Sequence, residues 1–98
     1  MVSGSEMLKV SSKSSPHAVA GALAGIVRQG GVAEVQVVGA GALNQAIKAV
    51  AIARSFVTDA GLDLVCVPSF VEVSISGELR TALRLLVEHR VALVRGAP

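Results

Sequence analysis

The run Val37-Val38-Gly39-Ala40-Gly41-Ala42-Leu43-Asn44-Gln45-Ala46-Ile47-Lys48 sets two glycines between an apolar stretch and an amphipathic one. At such a strand-to-helix junction, backbone N–H groups and the helix dipole can receive a phosphate. The glycines alone do not specify that chemistry. A dinucleotide fingerprint would need a third glycine at 44, where Asn44 stands, and an acid at the far end of the next strand, whereas Asp63 falls at its near end. The P-loop pattern GxxxxGK[ST] is absent. What the chain does place nearby is a set of phosphate-compatible side chains. Asn44 and Lys48 are one helical turn apart, Gln45 adjoins them, and Ser11-Ser12-Lys13-Ser14-Ser15 forms an earlier polar turn. If the first two strands are parallel neighbours, both turns lie at one sheet edge. Lys9, Lys13, Ser14, Ser15, Asn44, Gln45 and Lys48 then make a polar, positive ridge around Gly39 and Gly41.

No catalytic set assembles beside it. His17 and His89 are far apart, neither has metal-ligand spacing, and the acids are scattered singly from Glu6 to Glu88. Cys66, the only cysteine, sits in Leu64-Val65-Cys66-Val67 and reads as a buried structural thiol. The expectation is therefore a non-enzyme with no cofactor and no metal. Base stacking on aromatics is poorly supported, because Phe56 falls on the apolar half of its helix and leaves only Phe70.

The elements that must position this ridge follow from the pattern. Ninety-eight residues make one domain, in which a monomer buries only ~60 to 65% of its unfolded surface, and that favours an oligomer. The chain is 52% hydrophobic with two Phe and no Trp or Tyr, so its core must pack small side chains closely. A net charge of +2 is too small to coat nucleic acid by charge density alone. No apolar run is long enough to span a bilayer and Met1 to Glu6 lacks signal-peptide character, so a cytoplasmic protein without a membrane partner is expected.

Residues 1–6 read as a disordered extension, 7–90 as one domain and 91–98 as a tail. A first strand is predicted over 7–11. A helix follows from Pro16 to about Gln29, with Ser15 as its cap. Its Val19, Leu23, Ile26 and Val27 face the core. Ala18, Gly21, Ala22 and Gly25 form a small-residue face that the second helix or another subunit should approach. A second strand spans 33–38 and a second helix about 42–58. A third strand runs over 62–67 and continues past Pro68, with a bulge or a sheet edge there, to a turn at Ser76-Gly77. Residues 78–90 fit either a helix, through Leu79, Leu83 and Leu86, or a strand, through Leu79, Thr81, Leu83, Leu85 and Val87.

Three long stretches, Leu8 to Pro16, Val19 to Gly25 and above all Gly39 to Arg54, closely resemble the bacterial stage V sporulation protein S family. The resemblance covers about Met7 to Arg90, and Glu78-Leu79-Arg80-Thr81-Ala82 resembles that family's Glu-Glu-Arg-Thr-Ala segment, with Leu79 in place of an acid. The family is similar to the Alba proteins. This implies an α/β fold of the α+β two-layer kind, ordered β-α-β-α-β-β, with a four-stranded mixed sheet and two helices on one face. It makes residues 78–90 a strand and implies a homodimer or homotetramer that binds DNA or RNA, acting as a small regulator around sporulation and septum or coat formation. In Alba proteins a basic cluster at the first helix and a basic hairpin grip the duplex. Here Lys13 is the sole charge in that first turn, and the hairpin mixes Glu72 and Glu78 with Arg80 and Arg84, so affinity per subunit should be lower. An assembly module that recognises protein, and a nucleotide sensor at Gly39 to Gly41, are the other functional classes the pattern permits.

Overall fold

The computed structural model describes residues 5–91, ordered β1 (Ser5–Val10), α1 (Pro16–Arg28), β2 (Val32–Val37), α2 (Ala40–Val57), a short 3-10 turn (Thr58–Ala60), β3 (Leu62–Ile75) and β4 (Glu78–Val91). The four strands form one mixed sheet in the order β1-β2-β4-β3. β1 and β2 are parallel, and β4 is antiparallel to both β2 and β3. This is the expected β-α-β-α-β-β arrangement. The first strand begins two residues before the expected Met7, so Ser5 and Glu6 belong to it, and Val91 closes β4. Residues 1–4 and 92–98 of the expected extension and tail lie outside the described residues.

The strand reading of residues 78–90 holds because register, not propensity, decides it. Ala33, Val35 and Val37 of β2 pair with Val87, Leu85 and Leu83 of β4, which puts apolar residues of both strands on one face. The β3–β4 hairpin keeps a constant register from Leu62↔Val91 to Ile75↔Glu78. It closes through Ser76 and Gly77, both at positive φ, as a tight two-residue turn suited to the twist of the strands. Pro68 sits within β3 without a bulge in that register, and β3 is an edge strand, where a residue without an N–H is tolerated.

One core lies between the helices and one face of the sheet. The helices contribute Ala20, Leu23, Ala24, Val27, Ala46, Ala49, Ala53 and Val57, all nearly inaccessible, and the sheet contributes Ala33, Val35, Val37, Leu85 and Val87. Alanine dominates the helical side, so the two helices approach closely. Helix α1 starts on Pro16 with the Ser15 hydroxyl accepting from the Ala18 N–H at 3.3 Å. It ends where the Gly30 and Gly31 N–H groups, each at 2.9 Å, reach back to the Val27 and Ile26 carbonyls. The Arg28 guanidinium then donates to the Phe56 carbonyl and lies 3.8 Å from Asp59, tying the C-terminal ends of the two helices together.

The small-residue face of α1 does not meet α2. Gly21 and Gly25 would carry a methyl group with nothing within 4 Å, and α1 buries Ala20, Leu23, Ala24, Ile26 and Val27 instead. Gly21→Ala and Gly25→Ala should therefore each stabilise the isolated chain by about 0.5 to 1 kcal/mol, read as a rise in thermal midpoint. A fall would show that another molecule occupies this face.

Candidate nucleic-acid interface

Two turns meet at the C-terminal edge of β1 and β2. The Ser11–Ser15 turn is shaped by its own hydroxyls: the Ser14 hydroxyl accepts from the Ser11 N–H at 2.9 Å, and the Ser11 hydroxyl accepts from the Lys13 N–H at 3.1 Å. Two ties then fix the turn to α2. The Gln45 side-chain amide donates to the Ser14 carbonyl at 3.0 Å. Gly41 lies so close to Ser12 that a methyl group there would come within 2.9 Å of the Ser12 Cβ.

The helix begins earlier than periodicity indicates, at Ala40 and not Ala42, with Gly39 as its N-cap. Gly39 stands at φ 89° and ψ 161°, a conformation essentially restricted to glycine. It supplies no side-chain hydrogen bond to the first turn, whose N–H groups face the same edge as the Lys13 turn. Gly41 is an ordinary helical residue inside that turn.

The structure therefore brings together Lys13, Ser14, Ser15, Gly39, Gly41, Gln45 and the start of α2, with Asn44 and Lys48 exposed on the first turns of that helix. Several of these have positional work. Ser14 shapes the turn, Ser15 caps α1 and Gln45 holds the turn against α2. Lys9, Arg80 and Arg84 lie on the sheet face that carries no helix, as the register shows: Lys9 pairs with Gln36, Gln36 with Arg84, and Arg80 with Val73; of the three, Lys9 also borders Ser12 and Gly41 at the edge. Lys9, Gln36, Arg84 and Ser69 thus form one polar row across four strands, spanning roughly 14 Å at the usual interstrand spacing. Sequence reasoning passed over Gln36, although its polar position between apolar Val35 and Val37 marks it as facing away from the core.

Ion pairing separates the cations into two groups. Arg28 pairs with Asp59, Arg54 and Arg90 with Asp63, and Arg84 with Glu34 at 3.7 Å. Among the described residues, the cations without an ion pair are Lys9, Lys13, Lys48 and Arg80, each exposed. Arg84 is consequently the least available of the candidate contacts, and its Nε is shielded without a hydrogen-bond partner.

Asp63 serves the fold. The Arg54 guanidinium bonds both of its oxygens, at 2.7 and 3.0 Å, and the Leu64 N–H donates at 2.8 Å. The Arg54 hydrogen bond first, and then that N–H, hold the carboxyl well below the usual carboxylate range. Because the folded-state value is depressed, the stabilisation is full above the unfolded carboxylate value of about 4 and fades as pH falls below it. Cys66 is half-buried, not buried as expected, and burial pushes its thiol above the ordinary range, away from the reactive thiolate. Among the described residues no cluster of three or more His, Cys, Asp or Glu could hold a metal ion, and no helix is long and apolar enough to cross a membrane.

The comparison with protein families agrees with the wording of the sequence: stage V sporulation protein S (SpoVS) matches over residues 6–90 of the 98. That span takes in all four strands except the first residue of β1 and the last of β4, both helices, and the two turns at the sheet edge. The chain belongs to the stage V sporulation protein S (SpoVS) family, whose name marks it as a small sporulation-associated protein.

Proposed function

We propose that this chain is a non-catalytic, Alba-like regulator that holds DNA or RNA by its backbone, using the Lys13 turn and the start of α2. One observation carries the reading. Among the described residues, the cations left over after intramolecular ion pairing are Lys9, Lys13, Lys48 and Arg80, while the turn holding Lys13 is fixed to α2 through Gln45 and Gly41. Free, exposed cations beside uncapped backbone N–H groups suit phosphate oxygens, and a prearranged turn lowers the ordering cost of binding.

Two to four phosphate contacts per protomer correspond to a log–log salt slope of about −2 to −4, doubled if a dimer engages one duplex. Fluorescence anisotropy with labelled DNA and RNA at several salt concentrations tests this. The Lys13→Ala/Lys48→Ala double variant should bind both more weakly and show a slope shallower by about 2. Absence of binding at low salt, or a double variant with unchanged affinity and slope, would overturn the reading.

A second reading, an assembly module that recognises protein, is favoured by the exposed apolar side chains Ile47, Val67, Phe70 and Leu79, of which Phe70 is 79% and Leu79 72% exposed. In the first reading the same side chains serve as the contact of a homodimer or homotetramer. Capture of one specific protein that survives nuclease treatment, with no affinity for nucleic acid, would select the second.

A further inference from the structure

The twist of the β3–β4 hairpin brings Val73 and Ile75 over the ends of β1 and β2, and a cleft of about 520 Å³ opens between them and the Ser11–Ser12 turn. Its volume is that of a small-molecule site. Polar residues from separate segments line it: Ser11 and Ser74, and the three on which the site turns, Lys9 of β1, Ser12 of the turn and Gln36 of β2. None of the three has a hydrogen bond or ion pair through its side chain among the described residues, whereas their neighbours Ser11, Ser14 and Arg84 do. Opposite them, Val73 and Ile75 supply an apolar wall, with Ile75 40% exposed.

We propose that this cleft binds one nucleotide unit with an unpaired base. The Lys9 ammonium meets the phosphate. The Gln36 amide offers a donor and an acceptor to the edge of a base, and Ser12 adds a hydroxyl toward the sugar or base. The β-branched pair on the hairpin covers the face of the base without an aromatic ring. A base inside a duplex is stacked on both faces and cannot enter, so the occupant is either a free nucleoside monophosphate or an unpaired nucleotide of a strand. The cleft adjoins the Lys13 turn through Ser11 and Ser12, so a strand lying on that turn can deliver a nucleotide into it. The strand-borne occupant rests on the nucleic-acid reading above, whereas the free nucleotide does not.

The test is a titration of the full-length ¹⁵N-labelled chain, followed residue by residue, with nucleoside monophosphates, a short single-stranded oligonucleotide and a blunt duplex. The monophosphate or the single strand should move the amide signals of Lys9, Gln36, Val73 and Ile75, and the duplex should move the Lys13 turn and the start of α2 without them. Gln36→Leu and Lys9→Ala, both on the open sheet face and therefore compatible with folding, should each weaken the ligand that fills the cleft at least fivefold. Gln36→Leu should leave duplex affinity unchanged. Cleft shifts with the strand but not the monophosphate identify a strand-borne nucleotide, and the reverse identifies a free one. If neither ligand moves the cleft, or if both variants bind as the wild type does, the proposal is overturned even where the Lys13 turn responds. If no polymer binds anywhere, the nucleic-acid reading fails and the monophosphate alone decides the cleft.

Discussion

Leu23→Ala is expected to remove about 2 to 5 kcal/mol of stability, enough to lower the thermal midpoint of a chain this size by roughly 10 °C or more. Leu23 is 0% exposed and is among the largest fully buried side chains in the protein. The cost should fall near the upper end because most of the helical side of the core around it is alanine, at 20, 24, 46, 49 and 53, with Ile26, Val27, Val50 and Val57 the larger exceptions. The alanine side chains have no length with which to fill a void, so the cavity persists. Against a typical domain stability of about 5 to 15 kcal/mol, one such substitution leaves little margin. Thermal unfolding followed by circular dichroism measures it, since the chain has no tryptophan to report by fluorescence. Leu23→Met, which preserves volume, should cost less than about 1.5 kcal/mol. Equal losses for Ala and Met would show that shape, and not the cavity, governs the site.

Gly39→Ala is expected to cost about 1 to 3 kcal/mol, for a reason unrelated to packing. A methyl group at Gly39 would meet nothing within 4 Å, so the whole penalty is backbone: φ 89° with ψ 161° is closed to a residue with a Cβ. Gly41→Ala makes the contrast. Its backbone is helical, and alanine there gains up to about 1 kcal/mol of helix propensity while pressing on Ser12 at 2.9 Å. The Ser12 Cβ moves only with its backbone and the Gln45 amide holds the turn against α2, so the Lys13 turn must be displaced at a cost that offsets the helix-propensity gain. Chemical denaturation should therefore show the larger loss for Gly39→Ala, and nucleic-acid affinity should fall for Gly41→Ala by more than its change in stability accounts for. The opposite pattern would place the strain at the second glycine.

The strands and both helices were legible because the chain alternates or repeats at the right period wherever one face is buried, as in Ala33, Val35 and Val37. Residues 78–90 were not legible by period alone, since Leu79, Leu83 and Leu86 recur at helical spacing. The deciding fact is that Leu83, Leu85 and Val87 lie opposite three apolar residues of β2, fifty positions away in the chain. The start of α2 was misplaced by two residues because a glycine inside a first helical turn looks the same in sequence as one in a loop. At the candidate interface, residue types pointed to the right edge but not to their division of labour. Gln45 and Ser14 resemble ligand contacts until their mutual hydrogen bond is seen, and Arg84 resembles a free cation until Glu34 is found beside it. The small-residue stripe of α1 was equally visible, yet pattern alone could not tell that α2 packs on its neighbours.

Pro68 bears on how many copies of the protein can be crowded together. A fourteen-residue edge strand such as β3 offers a long row of backbone groups to any passing strand, the usual starting point for end-to-end sheet growth and insoluble polymer. Proline has no N–H, so it divides that row into Leu62–Val67 and Ser69–Ile75, six and seven residues that cannot be zipped up in one continuous ladder. The opposite edge, β1, is only six residues long. Among the described residues both borders of the sheet are thus short templates for strand addition from a second copy.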